Sequence, residues 1–369
     1  MTMKVLCAPD SFKDSISAAD ASAAMVRGAR GLVESAISCP IADGGEGTLE
    51  VLIGSCGGRF ASFGTLDPLG RPHEARIGFL DERKIAIVEM AEASGLERLK
   101  TTERNPFRTS SYGTGQLMAI AAREAEHIIL AAGGTATMDG GCGILQAFGS
   151  RLLNSIGEPI EDPITNGTLT RISSIEIPNH MPRIEVAVDV QATLLGEQGA
   201  AYLFGNQKGA RPEDIEVLDA NLMHIADVMD PDGRHRLVAG GGAAGGAAFG
   251  LHAMTDARIT SGATTVLEMI DFHARLEGID LLMVGEGRLD RQSTLGKAPF
   301  IAAKQAHGMG IETIAVCGCT GDGWETALTE NGGPIDRIVS LSRQHGEERS
   351  LQETSSCLEE TVRAILSAR

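Results

Sequence analysis

Aromatic side chains are scarce in this sequence, where they make up 4% of 369 residues, with one tryptophan and two tyrosines. Proteins that bind single-stranded nucleic acids stack bases on exposed rings, and few rings are present for that purpose. Positive charge is also in deficit, because 49 acidic residues outnumber 32 Lys and Arg and give a formal net charge of −17. Binding to a phosphate backbone depends on clustered Lys and Arg. We therefore expect no nucleic-acid partner.

Long apolar runs and paired cysteines are also missing. No run approaches the roughly 20 residues that a membrane helix needs, and the first residues, MTMKVLCAPD, lack the apolar core of a signal peptide. The seven cysteines are odd in number and scattered, and no His or Cys spacing matches a zinc site. We expect a cytoplasmic protein with reduced thiols, no membrane association and no structural zinc.

Glycine, in contrast, is abundant, with 46 residues, and short apolar runs alternate with segments of helical spacing. The clearest helical stripe follows Pro212. This alternation predicts an α/β fold with mostly parallel or mixed sheets. Five of the predicted strands end in a polar loop, and these are Lys4–Ala8, Ile128–Ala132, Glu185–Val188, Asp280–Val284 and Thr313–Val316.

The densest of these junctions is DLLMVGEGRLDRQSTLGKAP, residues 280–299. Its strand is expected to end at Gly285–Gly287, where the backbone turns, and a helix is expected from Ala298 with Pro299 in its first turn. Charged and polar side chains lie between the two, namely Glu286, Arg288, Asp290, Gln292, Ser293 and Lys297. Polar loops at the carboxyl edge of a parallel sheet form many ligand sites. A solvated connection is the alternative, and the recurrence of such loops favours a site.

The common nucleotide-binding signatures are incomplete. A P-loop needs Ser or Thr after Gly296-Lys297, but Ala298 follows, and Arg291 occupies the position of its first glycine. The spacing Gly240-x-Gly242-x-x-Gly245 fits a dinucleotide fingerprint, but any run so rich in glycine generates it, and no first βαβ unit surrounds it. We expect that run to serve close helix packing or a phosphate contact. The HRD and DFG motifs of protein kinases are absent.

What remains is a set of acids, lysines and glycines at strand ends. Phosphoryl transfer uses such parts: backbone N–H groups and Lys bind phosphate oxygens, carboxylates hold Mg²⁺, and one carboxylate accepts the proton of the attacking hydroxyl. Each residue alone has an ordinary structural explanation, such as capping a turn. Their joint recurrence favours a kinase.

The motifs that carry this pattern are APDSFKDSIS, ADGGEGT, TSSYGTGQL, GGTATMDGGCGILQAFG, VDVQATLLGEQGAAYLFGNQKGA, GGGAAGG and GEGRLDRQSTLGKAP. In sequence and in order they resemble the bacterial glycerate kinase family, of the glycerate 2-kinase type. The resemblance spans nearly the whole chain. Together the motifs are specific, although no single one would be.

The resemblance implies ATP-dependent phosphorylation of D-glycerate with Mg²⁺, giving 2-phospho-D-glycerate. It also implies two α/β domains, one inserted into the other, with the active site in the interdomain cleft. The dense turn Thr65–Pro72 is the candidate boundary. The predicted first domain comprises residues 1–66 and 283–369, and the inserted second domain comprises residues 67–282. A homodimer is compatible with these expectations.

Two motifs depart from the family pattern. Residues 188–193 read VDVQAT where the family has Cys-Asp-Val followed by Asn-Pro, and residues 135–139 read TATMD where it has SATND. The acids are kept and their polar neighbours differ, which bears on the preference among small hydroxy acids.

Roles for individual residues are hypotheses. Asp189, at the end of a clean strand, is the predicted base that accepts the proton of the substrate hydroxyl. The predicted catalytic residues are Asp189, Asp290, Lys13 and Arg288. The predicted substrate- or nucleotide-binding residues are Asp10, Ser11, Asp43, Gly44, Gly45, Glu46, Gly133, Gly134, Thr135, Asp139, Gly140, Gly141, Gln207, Lys208, Gly285 and Lys297. The predicted metal ligands are Glu286 and Asp290.

Two other classes of function compete with a kinase. A dehydrogenase that uses NAD or NADP on a similar acid would depend only on the glycines at 240–245. A non-catalytic sensor of sugar acids would bind glycerate by hinge closure without consuming ATP. The sensor gives no reason for so many carboxylates at strand ends.

Overall fold

The computed structural model describes residues 3–369. The strands are β1 (Lys4–Pro9), β2 (Ser35–Ser38), β3 (Arg59–Leu66), β4 (Pro72–Leu80), β5 (Ile85–Glu89), β6 (His127–Ala131), β7 (Arg151–Leu153), β8 (Ser174–Glu176), β9 (Arg183–Val188), β10 (Arg258–Ser261), β11 (Leu281–Leu289), β12 (Glu312–Thr320) and β13 (Arg337–Ser340). The α-helices are α1 (Ala18–Ala29), α2 (Thr48–Cys56), α3 (Met90–Ser94), α4 (Tyr112–Ala121), α5 (Cys142–Ala147), α6 (Ala200–Phe204), α7 (Ile215–Met229), α8 (Ala243–Met254), α9 (Gly262–Met269), α10 (Phe272–Arg275), α11 (Ala298–Gly308), α12 (Leu341–His345), α13 (Glu347–Gln352) and α14 (Thr354–Ser367).

Contacts divide the chain into two units. The first unit comprises the chain up to Asp43, Glu50–Cys56 and Gly262–Arg369, and the second comprises Gly44–Leu49 and Gly57–Ser261.

The first unit is built on a five-stranded parallel sheet in the order β2-β1-β11-β12-β13. Alternate strand residues, such as Val5 and Val316, are fully buried in a core shared with α1 and α14. Helix α1 begins at Ser17, whose hydroxyl accepts the Asp20 N–H at 3.1 Å and so satisfies a donor that the first helical turn leaves unpaired. Because every strand is parallel, all five carboxyl ends lie at one edge of the sheet.

The second unit contains a six-stranded mixed sheet in the order β10-β9-β6-β5-β4-β3. Strands β5, β6, β9 and β10 are parallel, whereas β4 and β3 extend the sheet by antiparallel pairing. Strands β7 and β8 form a separate antiparallel pair. The core combines Val88 and Leu130 of the sheet with α4, α5 and α7, and the buried face of α7 carries the predicted stripe.

Most predicted elements are confirmed. The α/β class with parallel and mixed sheets is present, and the apolar runs near residues 4, 128, 184 and 313 form β1, β6, β9 and β12. Helix α11 begins at Ala298 with Pro299 in its first turn. Within residues 3–369, every helix is too short or too polar to cross a bilayer, and all seven cysteines are free thiols.

Two local predictions are wrong. The strand at 280 does not end at Gly285–Gly287, because Glu286 and Arg288 pair with Cys317 and Cys319 and carry β11 on to Leu289. The sequence pattern predicts a polar loop over residues 105–115 and a helix from Gln116, but helix α4 begins at Tyr112. Its Gly113 is needed there, since a Cβ would lie 1.9 Å from the carbonyl oxygen of Leu66. Close packing at Gly113 and strand pairing at Gly285 therefore explain these glycines, and neither lies in a loop.

The predicted domain boundaries differ from those of the units. The turn within Thr65–Pro72 joins β3 to β4, which are paired along their whole length inside the second unit. At the other end, the chain returns to the first unit at Gly262 and not near residue 283. The division into one domain inserted in another stays a prediction.

Candidate active site

The first unit brings charged residues to the point where its sheet changes direction. Strand β1 lies between β2 and β11, so the connections on its two sides run in opposite directions along the sheet. In doubly wound folds, ligands bind outside the carboxyl ends of the strands at this switch point. Asp10 follows β1 and donates its backbone N–H to the carbonyl of Gly285 at 2.8 Å, and Glu286 is the next residue of β11.

Acidic charge exceeds basic charge within this cluster. Asp10 and Glu286 are both buried. Burial raises the pKa of Asp10 well above its usual value, and the carboxylates of Asp43 and Glu286 raise it further against the opposing Ser11 N–H and Lys297. Burial also raises the pKa of Glu286, although Lys297 opposes this from 3.1 Å. One lysine therefore faces three carboxylates, and the negative charge of Asp43 raises the pKa of both Asp10 and Glu286.

The pKa of Lys297 reflects the same imbalance. Burial alone would lower it, but Glu286 and the nearby acids Asp43 and Asp290 raise it overall. Lys297 lies immediately before α11, as its N-cap residue. The sheet and the start of α11 thus hold the positive charge of Lys297 beside the negative charges of Glu286 and its neighbouring acids.

A second ion pair joins the end of strand β11 to the loop that follows it. The Arg288 Nε is 3.3 Å from Asp290 Oδ2, and Asp290 Oδ1 accepts the Gln292 N–H at 2.8 Å. Asp290 is half-buried and Arg288 is exposed. Lys13 is also exposed. Gly287 packs closely on the backbone of the loop after β1, because a Cβ there would lie 3.2 Å from the backbone nitrogen of Lys13.

The donor set fits Mg²⁺ that arrives with phosphate. Within residues 3–369, no three His, Cys, Asp or Glu side chains are arranged to hold a metal alone. Mg²⁺ in phosphoryl-transfer sites typically takes one or two carboxylates together with phosphate oxygens and waters. The buried carboxylates of Asp10 and Glu286 and the half-buried one of Asp43 supply the negative charge that such an ion would neutralise.

The second unit has its own polar edge. Register pairs Glu89 of β5 with Ala131 of β6, and Ala131 with Ala187 of β9, so the carboxyl ends of these strands are level. Asp189 follows β9 at this edge and is exposed. The segment GGTATMDGG follows β6 at the same edge.

Asp139, within that segment, is a buried structural anchor. Its carboxylate accepts the Ser111 N–H at 2.8 Å, the Ser111 hydroxyl at 2.7 Å, and the N–H groups of Gly141 and Gly143 at 3.2 and 3.3 Å. Burial raises the pKa of Asp139 against these donors. The carboxylate ties the start of α4 to the start of α5.

Lys208 is also inside the protein. Its Nζ donates to Thr135 Oγ1 at 2.8 Å and to the carbonyl of Thr137 at 2.9 Å. Burial lowers the pKa of Lys208 to about 7, although Asp139 opposes the shift. Lys208 is predicted to bind substrate or nucleotide, and this stays a prediction. Its hydrogen bonds to Thr135 and Thr137 show that it also positions the GGTATMDGG segment.

The predicted glycines separate into two groups. Gly133 and Gly134 are not buried, and a Cβ on Gly133 would lie 2.5 Å from the Cα of Gly45, so two glycine loops meet here. Gly140 and Gly141 are buried, with positive φ angles of 62° and 77°. They pack on α8, because the Gly140 N–H donates to the carbonyl of Gly245 at 3.0 Å. Packing explains these two without a phosphate.

Glu89 was missed as a site residue. It is buried, and its two carboxylate oxygens accept the N–H groups of Gly47 at 2.9 Å and Leu49 at 3.2 Å. It thereby fixes the glycine loop that contains Gly44, Gly45 and Glu46. The signal available in the sequence was its position as the charged last residue of an apolar run. Gln207, in contrast, is exposed.

The Gly240–Gly245 run has no dinucleotide-binding context. A Cβ on Gly242 would lie 2.1 Å from the carbonyl oxygen of Thr193, and one on Gly245 would lie 2.0 Å from that of Thr137. The run overlaps the start of α8, and the element before it is helix α7, so it is not a strand-to-helix turn. The expected close packing is confirmed.

A groove elsewhere in the second unit contains none of the predicted site residues. It has a volume of about 850 Å³ and lies at the amino ends of β9 and β10, lined by residues 177–183, 253–256 and Arg258. The polar strand ends are at the other edge of that sheet. Cavity size alone therefore does not locate the candidate site.

Comparison with known proteins agrees with this geometry. The model of the Glycerate kinase family matches residues 5–369. The chain belongs to the glycerate kinase family. A glycerate kinase from Halalkalibacterium halodurans is 41% identical, over 98% of this chain and 97% of that protein. The glycerate 2-kinase of Escherichia coli is 38% identical, over 92% of this chain and 90% of that protein.

A solved structure supports the same assignment. The crystal structure of a protein from Salmonella typhimurium LT2, provisionally named glycerate kinase 2, superposes with a TM-score of 0.83 at 35% identity, over 100% of this chain and 98% of that one. The family resemblance and the α/β fold predicted from the motifs are confirmed. The dehydrogenase alternative loses its support, because its glycines serve packing and the family is one of kinases.

Lys208 gives stability a predictable pH dependence. The pKa of Lys208 is about 7 in the folded protein and has the ordinary lysine value in the unfolded chain. Between these two pKa values the folded protein binds fewer protons than the unfolded chain, so the free energy of unfolding rises with pH. The free energy of unfolding of the wild type, relative to Lys208→Met, should increase by roughly 1 kcal/mol per pH unit from about pH 7 to pH 9. Denaturant titrations at several pH values measure this.

The exposed Lys304→Met is the matched control, and we expect its difference from the wild type to change little with pH. Parallel stability curves for the wild type and Lys208→Met would contradict the buried, low-pKa lysine.

Proposed function

We propose that this member of the glycerate kinase family transfers the γ-phosphoryl group of ATP to the 2-hydroxyl of D-glycerate with Mg²⁺. The family and the name of the Escherichia coli relative support the acceptor and its position. The proposal that ATP is the phosphoryl donor depends on the cluster at the switch point, where three carboxylates and Lys297 lie near the carboxyl ends of β1 and β11. Such a cluster suits a nucleotide that brings a divalent cation.

The charges divide into two roles. Asp10 and Glu286 would hold Mg²⁺ together with phosphate oxygens, and Asp43 adds negative charge beside them; when bound, the ion neutralises phosphate charge. Lys297 and Arg288 supply positive charge for phosphate oxygens, and Lys13 is a further exposed cation in the loop after β1. Because phosphoryl transfer involves little covalent chemistry by the protein, positioning and charge do most of the catalysis.

The acceptor hydroxyl needs a base, and Asp189 is our candidate. It is an exposed carboxylate that directly follows the carboxyl end of β9. The hydroxyl oxygen bonds to the γ-phosphorus, the bond from that phosphorus to the β–γ bridging oxygen breaks, ADP leaves, and the hydroxyl proton passes to Asp189. The backbone of Gly133 and Gly134 is available for close approach by a phosphate. Lys208 holds the segment that follows these glycines through Thr135, and Glu89 holds the neighbouring glycine loop through Gly47.

An active site in the interdomain cleft, a homodimer and a cytoplasmic location stay predictions. The sensor alternative gains no support from the structure, since it requires no excess of buried acids.

Phosphorus NMR tests the reaction and its position together. Incubation with ATP, Mg²⁺ and D-glycerate should convert the γ-phosphate signal into that of 2-phospho-D-glycerate and ADP. Omitting D-glycerate should stop ATP consumption. A 3-phosphoglycerate signal would reject the regiochemistry, and no glycerate-dependent signal would reject the proposed function.

Asp189→Asn tests the base. The exposed side chain should be replaceable without loss of folding, and turnover should fall by about 100-fold or more because the proton acceptor is lost. Asp232→Asn, at another exposed acid of the second unit, is the control and should keep wild-type turnover. Near-normal turnover by Asp189→Asn, with an unchanged circular dichroism spectrum, would exclude Asp189 as the base.

A further inference from the structure

Among the Phe, Tyr and Trp side chains that the structure describes in the first unit, only one is not buried. The unit contains Phe12, Phe272 and Phe300, which are buried, and Trp324, which is half-buried. Trp324 is also the only tryptophan of the chain. The guanidinium carbon of Arg343 lies 5.4 Å from the centre of its ring, within the range of a cation–π contact. The unit thus buries its phenylalanine rings and keeps its tryptophan ring partly accessible beside a cation.

The chain leading to Trp324 packs directly on the candidate site. Strand β12 ends at Thr320, and the next residues form a glycine-bearing turn. A Cβ on Gly321 would lie 2.7 Å from Arg288 Nε and 2.9 Å from Asp290 Cβ. The Arg291 N–H also donates to the carbonyl of Asp322 at 3.0 Å. Trp324 therefore lies two residues after Asp322, whose carbonyl accepts a hydrogen bond from the loop that contains Asp290 and Arg291.

A second apolar side chain is exposed in the same region. Leu295 is 74% exposed and lies in the turn Ser293–Leu295, which is a close neighbour of the turn Trp324–Ala327. Lys297 follows two residues later. Apolar surface and a ring beside fixed charges match a ligand with a flat, apolar end and an anionic end. A nucleoside triphosphate has both.

The fold gives these loops a common position. Strands β11 and β12 are adjacent and parallel, so their carboxyl ends lie at one edge of the sheet. In doubly wound folds this edge, outside the switch point, is where nucleotides bind. The phenylalanines of the unit are buried in its core and offer no stacking surface.

We propose that Trp324 is the stacking platform for the base of the nucleoside triphosphate, with Leu295 beside it and the phosphates directed to Arg288 and Lys297. This inference rests on the proposed function and names the base subsite of its phosphoryl donor. Base–aromatic stacking depends little on which base is present, so the platform supplies affinity more than discrimination among bases.

Intrinsic fluorescence tests binding without any turnover. Because Trp324 is the sole tryptophan, emission of the wild-type protein excited at the tryptophan band reports on this side chain. MgATP should quench or shift the emission with saturation, whereas magnesium tripolyphosphate, which lacks a base, should not. Equal responses to the two ligands, or none to MgATP, would overturn the platform.

Kinetics of variants supply the second arm. Trp324→Ala should raise the KM for ATP by roughly 5- to 100-fold and leave inhibition by magnesium tripolyphosphate unchanged, while Trp324→Phe keeps a ring and should restore most of the affinity. Leu351→Ala removes another exposed leucine of the first unit and should behave as the wild type. An unchanged KM in Trp324→Ala would overturn the platform, as would an equal loss of tripolyphosphate binding.

The two proposals fail in different ways. A wild-type protein that phosphorylates glycerate, combined with an unaffected Trp324→Ala, rejects only the base subsite. A wild-type protein with no glycerate-dependent turnover rejects the proposed function, and the fluorescence titration still decides whether Trp324 contacts a nucleotide base.

Discussion

Repulsion among buried carboxylates is the constraint on which the candidate site depends. Asp10 and Glu286 are brought together by the pairing of β1 with β11, and Asp43 adds to the negative charge they experience. Lys297 offsets part of it. Buried acids that disfavour each other's ionisation are costly to the folded chain unless a cation joins them. Such a cost is typical of functional sites and is hard to explain as a contribution to stability.

The second unit uses its buried charges in the opposite way. Asp139 accepts hydrogen bonds from three backbone N–H groups and a hydroxyl, and Lys208 donates to a hydroxyl and a carbonyl. Their partners are supplied by the protein itself, so they rigidify the loop between β6 and α5. We interpret them as the support for the exposed Gly134 and the half-buried Gly133, which offer backbone to a ligand.

The sequence predicted the fold class, the main strands and the position of α7, because these depend on local apolar periodicity. Its motifs also led to the correct family. The sequence pattern predicted wrong element boundaries where contacts between residues distant in sequence determine the local structure. Gly113 looked like part of a loop, but the carbonyl of Leu66 requires a glycine there inside a helix. Likewise, Gly285–Gly287 continue β11 because β12 pairs with them, which no local pattern shows.

The candidate residues divide along the same line. Asp10, Glu286 and Lys297 could be predicted because strand ends and polar loops are visible in the sequence, and the structure places them together. The interior roles of Lys208 and Asp139 could not, since burial depends on the folded environment. Glu89 was overlooked for a related reason: its partners, Gly47 and Leu49, are 40 or more residues away in sequence.

The melting temperature of Asp10→Asn, with and without MgATP, tests the central claim most directly. Asparagine keeps a side-chain oxygen for the Ser11 N–H, which Asp10 accepts at 2.6 Å, and it cannot ionise. The account predicts that the variant melts at or above the wild-type temperature without ligand and loses most of the increase that MgATP gives the wild type. A variant that melts well below the wild type and keeps the full increase would contradict it.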